Sequence, residues 1–272
     1  MTYADLFTGF GGATLGAIAA GLTPLWGVEY DAKIAAVANA NLGGHVHVAS
    51  ILDVDPHTLA RVDVLHASPP CPNFSVAKVG GSETALDLDL ARKVVQFVDV
   101  LQPRVFTLEN VYAYRQSQSW LTIQDALFAA GYWVSIEHCN AADYAVPQTR
   151  QRMIVRAVRG GWVPYLPEPV RWVGWYEAIE DLLPGLPDSQ FAPWQLKRLP
   201  DELRTSLWTT GRSYDQHGNE YGAVTHLADE PAVTVRATSG PDRAFILGGQ
   251  YQTPNTSLER IVQNRMADEP IW

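Results

Sequence analysis

The sequence predicts an α/β fold, a parallel sheet flanked by helices, and three observations predict it. The first 155 or so of the 272 residues alternate short apolar runs with longer stretches of helical apolar spacing. Glycines stand where the helical stretches should stop, at Gly21 and Gly131. The residues with the greatest chemical potential fall directly after the apolar runs, which places them along one edge of such a sheet.

Taken in order, residues 3–7 form the first short apolar run and 13–20 the first helical one. Residues 23–29 then read as a strand and 32–39 as a helix. Runs at 46–49 and 62–67 are too short for helices and rich in Val, so they read as strands. Residues 86–101 carry apolar side chains at helical spacing, 105–109 is a strand, and 123–130 a further helix. Residues 133–139 are expected as an antiparallel edge strand and 153–158 as the last strand.

After Gly160 the texture changes. Trp, Pro and Gly crowd the segment 162–187, with one short helix expected at 175–183. This divides the chain into a domain at 1–160, a connection at 161–190 and a smaller, partial domain at 191–272. Within the last part, Leu227-Ala228-Asp229-Glu230-Pro231-Ala232-Val233 returns as Met266-Ala267-Asp268-Glu269-Pro270-Ile271-Trp272, displaced by 39 residues. The first copy leads into the strand-like run 232–236. The second stops before any such run, which is the expectation for a truncated chain.

Two cysteines far apart, Cys71 and Cys139, support neither a disulfide framework nor a thiolate metal site. No basic-then-apolar leader and no run of eighteen apolar residues occurs, so a cytoplasmic protein without membrane contact is expected. A net charge of −9 weighs against nucleic acid. Locally the balance reverses: residues 144–167 hold no Asp or Glu but contain Arg150, Arg152, Arg156 and Arg159. That segment is either a basic contact surface or an ordinary solvated face.

Gly9, Gly11 and Gly12 follow the first strand and open a helix, a turn where backbone approaches a ligand closely. Glu29 ends the next strand, where a carboxylate takes both hydroxyls of a ribose. Phe7 is bulky where a phosphate-binding turn wants small residues, so a phosphate-free nucleoside such as S-adenosylmethionine suits the turn better than a dinucleotide. Ser68-Pro69-Pro70-Cys71-Pro72-Asn73-Phe74-Ser75 holds a thiol on a rigid loop at the sheet's carboxyl edge, a suitable place for a nucleophile. Cys139, in an apolar strand pattern, reads as a packing residue.

Glu109 ends another strand and should emerge on the same edge, either as an acid acting near Cys71 or as an ion-paired residue. Gln148-Thr149-Arg150-Gln151-Arg152 precedes the last strand. Arg152 is placed to hold a carbonyl or phosphate oxygen, with a surface ion pair as the alternative.

These motifs, in this order, resemble the DNA (cytosine-5)-methyltransferase family over about residues 1–185. The resemblance implies a Rossmann-like S-adenosylmethionine-dependent catalytic domain at 1–160, a partial target-recognition domain at 191–272, and methylation of carbon 5 of a cytosine flipped out of double-stranded DNA. It implies Cys71 as nucleophile, Glu109 as partner of N3, Arg152 as contact to the cytosine carbonyl and Arg150 as support. For the cofactor it implies Phe7, Gly9 and Gly11 on the methionine side, Glu29 at the ribose and Tyr30 at the adenine. Ser50 is implied near the adenine amino group, with Ile51, Pro70 and Leu90 completing the pocket. No metal is implied.

Four departures qualify the resemblance. Pro72 replaces the family's glutamine, removing an N–H and stiffening the loop. Ser50 stands where an aspartate is common, with Asp53 three residues on. The target-recognition region is incomplete, and no closing Gly-Asn segment follows Ser239. The alternatives are an inactive or split homologue completed by a second polypeptide, and an RNA cytosine-5 methyltransferase.

Overall fold

The computed structural model describes residues 1–70, 83–185, 208–214, 220–232, 245–247 and 250–251. It divides into two compact units. The first comprises Met1–His138 and Arg152–Leu166, the second Cys139–Gln151 and Pro167–Trp272.

The first unit is built on a sheet of seven strands: β1 (Thr2–Leu6), β2 (Thr23–Glu29), β3 (Val46–Val48), β4 (Val64–Ala67), β5 (Val105–Asn110), β6 (Tyr132–Asn140) and β7 (Gln151–Arg159). Their order is β3-β2-β1-β4-β5-β7-β6. The pairs β1–β2, β1–β4, β2–β3 and β4–β5 are parallel, and β7 lies antiparallel to β5. At the far edge Gly160 N–H donates to Gly131 O and Ala141 N–H to Arg150 O, so β6 runs against β7. The strands β1 and β4 are buried on both faces, which is why they read as short, mostly apolar runs, whereas β5 alternates buried with partly buried positions.

Four helices connect these strands. The helix α1 (Gly12–Ala19) follows β1, and α2 (Ala32–Leu42) starts where the Asp31 side chain accepts from the N–H groups of Lys33 and Ile34. The helix α3 (Ala85–Leu101) opens on a reciprocal cap: Thr84 takes the N–H of Asp87, and the Asp87 carboxylate takes the N–H of Thr84. It ends at Gln102 in the left-handed region, just before Pro103. The helix α4 (Gln118–Ala129) is capped by Ser117.

Strand alternation sends Ala4, Leu6, Leu65, Phe106, Leu108 and Val155 to one face. There they pack with Leu90, Val94 and Phe97 of α3 and Trp120, Ile123 and Leu127 of α4. Tyr3 and Val64 pack with Ala17 of α1 on the other face. Beside them lies a polar cluster, in which Tyr3 Oη and Thr14 Oγ1 both donate to the buried Asp5 carboxylate.

The second unit holds a four-stranded sheet of β8 (Trp208–Tyr214), β9 (Glu220–Leu227), β10 (Phe245–Leu247) and β11 (Gln250–Tyr251), in the order β11-β10-β8-β9 with antiparallel pairing throughout. Where a short helix was expected at 175–183, turns lead into a 3-10 segment at Glu180–Gly185. The first two N–H groups of this stretch go instead to the first copy of the repeat. Trp175 N–H donates to Glu230 O and Tyr176 N–H to Ala228 O, while Ala228 and Ala232 pack on Trp175 and Ile179. The second copy of the repeat, at 266–272, lies outside the described residues.

Candidate active site

Strands β1, β2, β4 and β5 are parallel, so their carboxyl ends share one edge, and the antiparallel β7 brings its first residues to that same edge. Beside β1 and β2 lies a cavity of about 570 Å³, a size that suits a nucleoside. Phe7, Glu29, Tyr30, Ser50, Ile51, Pro70 and Leu90 line it. Gly9 and Gly11 are absent from this lining and act one layer behind it. Gly9 N–H donates to Glu29 Oε2 at 2.9 Å. Gly11 caps the start of α1 at φ 93°, and a Cβ there would collide with Leu42 Cδ1.

Phe7 itself has φ 67°, an unusual conformation for a residue with a large side chain. Two hydrogen bonds hold the backbone in this region: Ser68 Oγ donates to Phe7 O, and Thr8 N–H to Val28 O. Glu29 is buried, and each of its carboxylate oxygens accepts one backbone N–H, from Gly9 and from Asp31. A carboxylate oxygen has two lone pairs, so this fixed acceptor retains capacity for ligand hydroxyls.

Ser50 caps a 3-10 turn at Ile51–Asp53, its Oγ accepting from Leu52 N–H at 3.3 Å. Asp53 is exposed and is not part of the cavity lining. The cavity wall also includes Thr84 and Asp87, the two residues of the α3 cap. The sequence reading does not include them, although Thr84-x-x-Asp87 before an apolar run is a legible capping signal.

Farther along the edge, Arg152 Nε donates to Glu109 Oε1 at 2.8 Å. Glu109 pairs in register with Ile154, so Arg152, two residues earlier on β7, is its diagonal neighbour on the same face. Asn110, 2% exposed, donates from Nδ2 to Pro69 O at 3.1 Å and accepts Val111 N–H through Oδ1. It thereby ties the end of β5 to the segment that precedes Cys71.

Cys71 and Pro72 lie outside the described residues, which resume at Glu83. The Glu83 carboxylate accepts the N–H groups of Gln118 and Ser119 at the start of α4. Pro69 and Glu83, on either side of residues 71–82, are therefore both bonded to residues between the end of β5 and the start of α4.

Arg150 belongs to the second unit, where its N–H donates to Asn140 Oδ1 and its carbonyl accepts from Ala141. The acid-free stretch 144–167 is less basic in space than in sequence. Arg156 is ion-paired to Glu137 of β6 and donates to Pro164 O, and Arg159 donates to Gln102. Strand neighbours supply the missing acids. Cys139 is half-buried near the end of β6.

Two titratable groups sit behind this edge, Asp5 buried and His66 partly buried. Desolvation, the largest influence, and the nearby Glu29 charge raise the Asp5 carboxyl to about 7, while its bonds from Thr14 and Tyr3 oppose the rise. His66, bonded through Nδ1 to Thr107 Oγ1 at 2.8 Å, is lowered to about 4 by desolvation. Among the described residues, no cluster of three His, Cys, Asp or Glu residues is arranged to hold a metal ion, and no helix is long and apolar enough to cross a membrane.

The sheet order with its antiparallel β7, and the nucleoside-sized cavity at the carboxyl edge, define a Rossmann-like fold of the S-adenosylmethionine-dependent methyltransferase class. Residues 1–189 match the family model of C-5 cytosine-specific DNA methylases, and the chain belongs to that family. Members of this family use S-adenosylmethionine as methyl donor.

The chain is similar to Type II methyltransferase M1.HphI of Haemophilus parahaemolyticus, 32% identical over 185 residues that cover 62% of this chain and 49% of the relative. It is also similar to M.XorII of Xanthomonas oryzae pv. oryzae, 31% identical over 277 residues covering 94% of this chain and 60% of the relative. The chain spans about half the length of the curated relatives it matches. Two solved structures share the fold. Dnmt2 of S. pombe has a TM-score of 0.52 and 16% identity, covering 61% of this chain and 53% of its own. A putative DNA modification methyltransferase encoded within an E. coli prophage has a TM-score of 0.51 and 22% identity, covering 82% and 62%.

Proposed function

We propose that this chain transfers a methyl group from S-adenosylmethionine to carbon 5 of a cytosine in double-stranded DNA, through a covalent bond between Cys71 and C6. The observation that carries the proposal is the ion pair between Glu109 and Arg152, at the sheet edge where Asn110 holds the Pro69 carbonyl and along which the cavity containing Glu29 also opens.

Glu29 fits the cofactor because it is a buried, fixed carboxylate in a largely apolar cavity, suited to the two hydroxyls of a ribose. Tyr30 and Ile51 would flank the adenine, Phe7, Pro70 and Leu90 would enclose the remainder, and the bound cofactor supplies an electrophilic methyl group. Ser50 contributes a hydroxyl at this wall. Gly9 and Gly11 act indirectly, by shaping the turn and orienting Glu29.

The chemistry required of the chain begins with the Cys71 thiolate, which forms a bond to C6 of cytosine and pushes electron density into the ring. Glu109 stabilises that density by hydrogen bonding at N3, and Arg152 by contact with the carbonyl O2. C5, now nucleophilic, accepts the methyl group. Loss of the C5 proton then restores the ring's double bond and expels the thiolate.

Methyl incorporation from labelled S-adenosylmethionine into duplex DNA, measured beside transfer RNA, tests the reading. Transfer to DNA is expected, and transfer confined to RNA would replace it with the RNA reading. Incorporation that appears only after a second polypeptide is added would assign the chain to a split enzyme.

A further inference from the structure

A second cluster of side chains stands at the same sheet edge, beyond the ion pair and away from the cofactor cavity. Tyr112 follows the end of β5 by two residues, and His138 lies near the end of β6. Their rings stack with centroids 3.8 Å apart and planes within 17°. The guanidinium of Arg115 lies 4.4 Å from the centroid of the Tyr112 ring. Beside this stack is a cleft of about 300 Å³ lined by Tyr112, Arg115, Gln116, Trp120, Gln124 and Ile136.

The stack contrasts with the two arginines of β7 nearest the same edge. Arg152 and Arg156 are joined to carboxylates, whereas Arg115 is exposed and lies over a ring. A π face attracts a cation while leaving the in-plane N–H groups of the guanidinium available, and it restricts the side chain to one plane. The lost rotamer freedom is then accounted for before any ligand arrives. Planar, edge-first N–H donors match the oxygens of a phosphodiester. The amides of Gln116 and Gln124 add donors of the kind that contact sugar and phosphate.

In sheet order, β6 is two strands from β5, a separation of roughly 10 Å. Phosphates on one strand of duplex DNA recur about every 3.4 Å of helix axis. A base held at Glu109 and Arg152 would therefore have backbone phosphates within about three nucleotides of this cleft.

We infer that the stack of His138, Tyr112 and Arg115, with the cleft beside it, binds the DNA phosphodiester backbone next to the target cytosine, Arg115 being the phosphate contact and Tyr112 the platform that presents it. This rests on the proposed reading of the chain as a DNA methyltransferase.

The test is a titration of mixed-sequence duplex DNA with wild type, Arg115→Ala, Arg115→Lys and Tyr112→Leu at several salt concentrations. S-adenosylmethionine binding and thermal midpoint are measured in parallel. For Arg115→Ala the inference expects affinity for DNA to fall about tenfold and the slope of log K against log salt to become shallower by about 1. Cofactor affinity and midpoint should stay at wild-type values. Arg115→Lys should restore the slope and only part of the affinity, since the charge returns without the stacked fork. Tyr112→Leu should weaken DNA binding with little change in slope. Wild-type slope and affinity in Arg115→Ala would overturn the inference alone. Absence of DNA binding by the wild type would overturn the functional reading and the inference with it.

Discussion

Arg152 Nε donates to Glu109 Oε1 at 2.8 Å, joining the first residues of β7 to the end of β5 across antiparallel strands. Both side chains are partly exposed, so the pair contributes little to stability, on the order of 1 kcal/mol or less. Its importance lies in orientation, because each side chain fixes the other at the edge where a base would sit. Glu109→Gln should lower kcat by about 10²–10⁴-fold, with cofactor affinity unchanged. Arg152→Ala should do similarly, and the double variant should lose much less than the product of the two, since the residues act as a unit. Single-turnover methylation kinetics on the four proteins measure this, and additive losses would show that the pair is not one device.

Asn110 predicts a linked loss of stability and rate. Asn110→Ala leaves the buried Pro69 carbonyl and the Val111 N–H without their partner, at a cost of about 1–3 kcal/mol. Asn110→Asp keeps an acceptor for Val111 but puts a carboxylate oxygen against a carbonyl, so it should be no better. Denaturant midpoints should fall for both, and turnover should fall further than stability alone explains. Turnover preserved after correction for the folded fraction would separate Asn110 from the alignment of Cys71.

Glu29 predicts a cofactor effect distinct from the catalytic ones. Glu29→Ala removes a fixed ionic acceptor and frees the Gly9 and Asp31 N–H groups. Hydrogen bonds to charged groups contribute about 1.5–3 kcal/mol each, so the dissociation constant for S-adenosylmethionine should rise about 10–100-fold by calorimetric titration. An unchanged constant would remove Glu29 from the cofactor site.

Much of this arrangement was legible in the sequence, for identifiable reasons. Doubly buried strands announce themselves as short Val- and Leu-rich runs, and every expected strand in the first 159 residues is present within two or three residues of its bounds. The order of those strands was not legible, because insertion of β7 between β5 and β6 is decided by long-range pairing. The same gap concealed Glu137 as the partner of Arg156, so a stretch without acids could not be told apart as a basic surface or a solvated, ion-paired one. Ser50 and Asp87 show the converse. Each is engaged in a local cap that sequence spacing could reveal, but their membership of one cavity wall depends on β2, β4 and α3 converging.

The buried Asp5 carboxyl predicts a pH dependence. Its folded value of about 7 lies above the unfolded value near 4, so between these limits the native state holds a proton that the unfolded chain has released. Stability from this group is full below about pH 4 and is lost as pH rises toward 7. His66 opposes it below about 6.5, since its folded value of about 4 favours the native state as pH rises. That opposition is reduced by the partial exposure of His66, whereas Asp5 is 1% exposed. Asp5→Asn should abolish the decline, leaving stability level or rising from pH 4 to 6.5 in urea titrations. Parallel curves for wild type and variant would contradict the assignment.

The proposed reaction turns on a bond between Cys71 and C6 of cytosine. The most direct measurement is denaturing electrophoresis after incubation with S-adenosylmethionine and duplex DNA in which cytosines are replaced by 5-fluorocytosine. Fluorine blocks the proton loss that frees the enzyme, so wild type should run as a covalent protein–DNA species. Cys71→Ser should not, although it should bind cofactor normally. Equal trapping of wild type and Cys71→Ser, or no trapping by a wild type that methylates ordinary cytosine, would contradict the mechanism.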